Sequence, residues 1–457
     1  MWLLSRSRCV FGASPLEGYD DSLSIFDNRT GRAYSIPIER NAIKATNLKQ
    51  ITADGSSLDP KGLPDTSGLK VVDRGFLNTA CAESSITYID GKRGTIHYHE
   101  HSLENIMRNN DYEEVIHLLN WGYLPTSEEK TQFRRALAAN MKPPKVVADV
   151  IQAFPCDALT SSLILAGLST WASVDEGTKI VHKSGCAHYV GNMLAVDAAL
   201  IRTFSALATI IALSYCHKRN RPFTPANPNG SLIGNVLLMM GFTRNRKPDA
   251  QIERCLEKLW ILYADHEMTN STAASLHASS TVTDPISCLT SAIVSAYGPL
   301  HAVAIDMAYK GFEEAGSIEG VPKQISSVKA GKQRLYGYGH RIYQTADPRA
   351  KFIWAMIDEH KDLVYGNPML QIAMEVDRVA TSDDYFVSRG LKTNADLYGC
   401  FLYTAFGSET DIIVGMASLR RTGGCLAHWR EAMQEKPVIW RPKQLFTGSL
   451  RRFGPEL

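Results

Sequence analysis

Between Met193 and Cys216 the chain is apolar or small at almost every position, and only Asp197 and Arg202 interrupt it with charge. A run of that length could span a bilayer, since about 20 apolar residues suffice. The two charges and the many small side chains suit instead a helix packed on all sides. Such a helix needs a shell of other elements, so it commits the chain to a large, mainly helical core. The 457 residues are enough for that core, or for two to three domains.

Helical signals continue C-terminal to this run. Ile252, Leu256, Leu259 and Tyr263 recur at helical spacing, and that helix ends at Asp265-His266-Glu267. Asp284-Pro285 is a helix start with proline in the first turn, and Gly298 is a stop. Pro299 is then expected to open the next helix and to put His301 in its first turn. There the unpaired N–H groups and the positive dipole end disfavour an imidazolium, so His301 is expected to be a neutral donor. Residues 1–100 read differently, as strands and turns. One hairpin is expected from Leu23–Asp27 and Ala33–Ile36 about Asn28-Arg29-Thr30-Gly31. A second is expected from Ser85–Ile89 and Thr95–His99 about Asp90-Gly91. Residues 52–68 are rich in Gly, Pro, Asp and Ser and read as a loop.

With a net charge of +2, no global field argues for nucleic acid or an acidic surface, although a local arginine cluster could still draw anionic substrates. Nine scattered cysteines with no C-x-x-C pair read as reduced thiols, without a disulfide framework or a zinc site. Met1–Pro15 carries Arg6 and Arg8 and no acid, a composition shared by mitochondrial transit peptides and by frayed termini. Pro455-Glu456-Leu457 is not a peroxisomal Ser-Lys-Leu signal. The compartment is left open. His97, His99 and His101 alternate and on a strand would share one face, which could hold a transition metal. With no fourth ligand signalled, they read as a histidine-rich surface strand, and no metal is expected.

Chemistry-bearing residues concentrate in a few short segments. These are Asp265-His266-Glu267, Gly298-Pro299-Leu300-His301, Gly337-Tyr338-Gly339-His340-Arg341, Asp347-Pro348-Arg349, Asn394-Ala395-Asp396-Leu397-Tyr398-Gly399 and Arg421-Thr422-Gly423-Gly424. Each alone is weak, because a lone histidine is more often a surface or satisfied core residue. Their order and spacing together resemble the active-site set of the citrate synthase family. The resemblance extends from Gly75-Phe76-Leu77-Asn78 through Gly122-Tyr123-Leu124-Pro125 to Arg441-Pro442-Lys443-Gln444.

The resemblance implies a mainly α, two-domain fold with a short β-rich extension. Residues 1–100 would be the extension packing on the large domain, 101–300 and 405–457 the large helical domain, and 301–404 the small helical domain. It implies catalysis by Asp396, His301 and His340. Asp396 would be the base that takes the α-proton of an acyl thioester. His301 would donate to the thioester oxygen and His340 to the ketone of oxaloacetate. His266, Asn270, Arg349 and Arg421 would bind substrate, and Arg441 would reach the neighbouring site of a homodimer. The chemistry is coherent, because a free carboxylate cannot remove so weak an acid without help where charge develops. Arginines hold carboxylates bidentately and orient the ketone. No cofactor is required, since the acyl thioester of coenzyme A, or of an acyl carrier protein, is a substrate.

Departures from the family pattern gather beside the acid–base set. Ala302 and Val303 follow His301 in place of glycines, Ile305 stands for an asparagine, Gln344 for a basic residue, and Cys425 for a tryptophan. His99-Glu100-His101-Ser102-Leu103 replaces a usual Arg-Gly segment. With the reacting groups kept and their surroundings remodelled, the expected substrate is a longer acyl chain, as in the alkylcitrate synthases of fungal secondary metabolism. The competing readings are a primary citrate or 2-methylcitrate synthase using acetyl- or propionyl-CoA, and an inactive paralogue acting as a binding subunit.

Overall fold

A computed structural model describes residues 21–52, 68–408 and 410–448. Met1–Pro15, nearly all of the 52–68 loop, and Pro455-Glu456-Leu457 lie outside the described residues. The chain divides into two compact units, Ser84–Trp440 and the residues flanking it on both sides.

In the flanking unit, β1 (Ser22–Asp27) and β2 (Arg32–Glu39) pair antiparallel with Leu23 opposite Ile36 and Asp27 opposite Arg32, the expected hairpin. The Asp27 carboxylate accepts from the Arg29 N–H at 3.0 Å, and Gly31 closes the turn at φ +67°. β3 (Ala42–Ile43) adds a two-residue third strand, too short to show any alternation in sequence.

The Ser84–Trp440 unit opens with the second expected hairpin, β4 (Thr87–Asp90) and β5 (Thr95–Tyr98), extended by β6 (His101–Ser102). His99 has φ +49° and ends β5. His97, His99 and His101 therefore do not share one strand face. Among the described residues no three His, Cys, Asp or Glu side chains are grouped to hold a metal.

The rest of this unit is helical. Its main framing helices are α1 (Tyr112–Trp121), α2 (Met193–Lys218), α3 (Ala250–Tyr263), α4 (Asn270–Ser279), α5 (Pro285–Ala296), α6 (Ala304–Ala315), α7 (Ala350–Glu359), α8 (Asp396–Ala405) and α9 (Thr410–Ala432). α2 is the long apolar run. Every residue from Thr203 to Cys216 is buried, so its hydrophobicity is spent on the protein core. α1 begins on a capping box, in which Asp111 caps the Glu114 N–H and Glu114 returns a bond to the Asp111 N–H. α5 begins as expected, with Asp284 accepting from the Ser287 N–H at 3.0 Å and Pro285 in the first turn.

One boundary differs from expectation. α6 starts at Ala304, so His301 precedes it and is not in its first turn. Tight turns intervene: the His301 N–H donates to Gly298 O at 2.9 Å and the Ala302 N–H to Ala296 O at 3.1 Å. These bonds fold the Pro299–Val303 segment back on the end of α5 before a helical ladder can begin.

α9 is buried along most of its length and crosses the end of α3 through Gly424. The Gly424 N–H donates to Ala264 O at 3.2 Å. A Cβ there would fall 2.3 Å from Asp265 Oδ1 and 2.5 Å from Ala264 O. Gly424→Ala must therefore push α9 off the residues that carry His266. We expect it to destabilise the protein by about 2–3 kcal/mol in urea unfolding. An unchanged midpoint would show that this contact is loose.

Candidate active site

At the end of α3, Asp265 is fully buried and its Oδ2 meets His428 Nε2 of α9 at 3.2 Å. Burial pushes the Asp265 carboxyl up, but the charge of and bond to His428 outweigh it and hold it below the usual range. This pair ties α3 to α9 and sets the backbone at His266. The His266 Nε2 lies 2.7 Å from the Tyr343 hydroxyl, and its ring is 5.3 Å from that of His340. Desolvation, then the positive charge of Arg349, holds His266 well below an ordinary histidine.

His301 and His340 are both neutral donors, and the hydrogen bonds fix which nitrogen donates. A backbone N–H can only donate. The Ser271 N–H points at His301 Nε2 at 3.3 Å, so that nitrogen accepts and Nδ1 carries the proton. Ser271 stands in the first turn of α4. The helix end that acts on His301 is thus that of α4 and not of its own helix. In the same way the Ile342 N–H donates to His340 Nδ1 at 3.1 Å, leaving Nε2–H as the donor. Desolvation, then Arg421, lowers His301 to about 4. Desolvation, then Arg349, lowers His340 to about 4.

A short antiparallel stitch carries His340 to Asp396. The Gly339 N–H donates to Lys392 O at 2.8 Å, the Asn394 N–H to Gly337 O at 2.9 Å, and Asn394 Nδ2 to Gly339 O at 2.9 Å. Gly337 (φ +86°) is required by both geometry and space, since a Cβ there would meet the Leu397 Cα at 2.8 Å. Asp347 joins the third segment, accepting from Arg349 Nη2 at 2.7 Å, Arg349 Nε at 3.0 Å and the Ala395 N–H at 3.1 Å. Asp396 then opens α8. Burial raises its carboxyl above the usual value, and Arg349 and Arg420 pull against that rise.

These groups line one cavity of about 160 Å³. Its polar wall holds His266, His301, His340, Asp396, Arg349, Arg420 and Arg421. Arg421 Nη1 is buried with no hydrogen-bond partner among the described residues. A buried guanidinium donor left unpaired is costly, so this end of the cavity demands an anion. Part of the lining is apolar: Leu289, Ala292, Ile293 and Ala296 form one stripe of α5, joined by Ala302 and Cys425. A buried carboxyl, two neutral imidazole donors and a cluster of arginines, one with an unpaired nitrogen, suit proton abstraction beside a carbonyl with an anionic co-substrate.

Of the residues expected from sequence, the cavity brings together His266, His301, His340, Arg349, Asp396 and Arg421. Asn270 is not among them. At the start of α4 its side chain is exposed and accepts from the Ser295 hydroxyl, and the next residue, Ser271, turns inward. Arg441 is exposed and belongs to the flanking unit. Tyr263, Ser271, Tyr343 and Arg420 escaped the sequence reading. Arg420 adjoins Arg421, but successive helical residues point about 100° apart, and no motif marked the second arginine.

The family model for "Citrate synthase, C-terminal domain" matches residues 75–443. The chain belongs to the citrate synthase family. It is 44% identical to the "Citrate synthase-like protein oryE" of Aspergillus oryzae, over 94% of this chain and 97% of that protein. It is 36% identical to the "Alkylcitrate synthase phiJ" of Fungal sp., over 94% of each. Among solved structures it is similar to citrate synthase from the archaeon Thermoplasma acidophilum in ternary complex with carboxymethyl coenzyme A and oxaloacetate. The TM-score is 0.75 and the identity 26%, over 83% of this chain and 96% of that one. The protein has the mainly helical citrate synthase fold and is a condensing enzyme of the citrate synthase type.

The buried histidines make a pH prediction. The unfolded chain binds protons as pH falls through about 6.5, the ordinary histidine value, while folded His301 and His340 refuse them until about 4. Stability therefore falls with pH across that window. His301→Gln and His340→Gln should each flatten the fall in a series of thermal melts. Slopes equal to wild type would contradict neutral imidazoles.

Proposed function

We propose that this enzyme joins a longer-chain acyl thioester to oxaloacetate and hydrolyses the thioester, releasing an alkylcitrate and the free thiol of coenzyme A or a carrier protein. In this reading Asp396 takes the α-proton while His301 Nδ1–H stabilises the charge forming on the thioester oxygen. The α-carbon attacks the ketone carbon as His340 Nε2–H stabilises the new alkoxide. Arg349 and Arg421 hold the carboxylates, with His266 beside them, and water then cleaves the thioester. No cofactor takes part. We further propose that residues 301–404 act as a small domain, and that Arg441 completes the neighbouring site of a homodimer.

The observation that carries the longer chain is the apolar stripe of α5. A dianion has no use for Leu289, Ala292, Ile293 and Ala296, whereas an alkyl chain is stabilised there by leaving water. Cys425 and Ala302 enlarge the same wall. The relative named an alkylcitrate synthase supports the same reading, and with it a role in fungal secondary metabolism.

The test is thiol release from acetyl- to decanoyl-CoA with oxaloacetate, with mass spectrometry of the product. We expect kcat/KM to rise about four-fold per methylene until the wall is filled, as about 0.8 kcal/mol per buried methylene requires. Ala296→Leu should cost hexanoyl-CoA ten-fold or more while leaving acetyl-CoA within about three-fold. A wild-type preference for acetyl- or propionyl-CoA would favour a primary citrate or 2-methylcitrate synthase. Turnover of no CoA ester and no carrier-protein ester would favour an inactive paralogue. Mixing Asp396→Asn with Arg441→Ala protomers should restore part of the activity each lacks alone. No recovery in a mixed dimer would remove Arg441 from the neighbouring site.

A further inference from the structure

Arg420 is an extra arginine in the cavity whose position is unusual. It is 5% exposed and makes no ion pair with a carboxylate among the described residues. Its guanidinium carbon lies 3.5 Å from the centre of the Tyr263 ring, and its Nη1 is 3.4 Å from the Tyr403 hydroxyl. The Arg349 guanidinium also packs against Tyr263, 5.0 Å from the ring centre. The Tyr263 ring is thus held by two arginines from different parts of the chain. Its hydroxyl donates to Ala395 O at 3.0 Å, the carbonyl immediately before Asp396.

We propose that Tyr263 and Arg420 form a positioning clamp for Asp396. Tyr263 fixes the backbone from which the carboxylate rises, and Arg420 fixes Tyr263 by lying against its ring. Arg420 also places a positive charge in the cavity, felt by the buried Asp306 of α6 as well, which favours the ionised form of Asp396 against the burial that opposes it. The other groups facing Asp396 are Arg349 with its partner Asp347 ahead of α7, Arg421 on α9, Tyr263 on α3 and Cys400 on α8. The neutral His266, His301 and His340 line the same cavity. Arg349 is neutralised by Asp347, so Arg420 is the cation whose removal changes the field at Asp396 most cleanly.

The clamp rests on the condensation reading but not on chain length, and part of its test is independent of turnover. In the full-length protein, carboxyl 13C NMR follows the titration of Asp396, assigned with Asp396→Asn. Removing a positive charge disfavours the carboxylate, so the midpoint should move to higher pH in Arg420→Met and in Arg420→Gln, and stay near wild type in Arg420→Lys. The acid limb of kcat/KM should move the same way, with the KM for oxaloacetate unchanged. Tyr263→Phe loses one hydrogen bond and should lower kcat about five-fold at unchanged KM. An unmoved Asp396 midpoint in the uncharged variants overturns the clamp. So does a raised oxaloacetate KM with a fixed acid limb, which would make Arg420 a substrate ligand. If the wild type turned over no thioester, the condensation reading would fall, while the NMR midpoints would still decide the clamp.

Discussion

Removal from water governs this site. Burial penalises whichever form of a group is charged. The same desolvation therefore acts in opposite directions on the imidazoles and the carboxyl that line the cavity. It drives His301 and His340 down to about 4, where they are neutral donors across the physiological range. It drives Asp396 up. Arg349 and Arg420 oppose that rise, so burial and guanidinium charge act on Asp396 together.

That balance requires close packing, and glycines at two crossings supply it. Gly424 lets α9 approach the end of α3, where Asp265 and His428 pair out of water and hold the backbone of His266. Gly337 lets the segment of His340 lie against Leu397, next to Asp396. Neither glycine lines the cavity itself. Each allows backbones to meet where a side chain would hold them apart, and the cavity then closes around groups distant in sequence.

His301, His340 and Asp396, which line one cavity, were legible in sequence because they sit in short segments whose order is distinctive. The buried α2 helix and both hairpins were legible from hydrophobic period and turn residues. What could not be read was relational. His301 was rightly expected to be neutral beside a helix N-terminus, but that terminus is the start of α4, 30 residues earlier in chain order. The α6 start was misplaced because local proline preference yields to hydrogen bonds that fold Pro299–Val303 back on α5. Asn270 and Ser271 are adjacent, and only packing decides which of them turns inward. Tyr263 looked like one more core residue of α3, and nothing local marks a ring gripped by two arginines.

In the proposed reaction a buried carboxylate removes one α-proton and the resulting carbon forms a bond to the ketone. The most direct measurement uses hexanoyl-CoA carrying two deuterons at the α-carbon, with oxaloacetate, and reads the isotope content of the product by mass spectrometry. The proposed reaction gives an alkylcitrate that retains a single deuteron from every substrate molecule consumed. Release of coenzyme A with both deuterons kept in free hexanoate would mean thioester hydrolysis without carbon–carbon bond formation, and would contradict it.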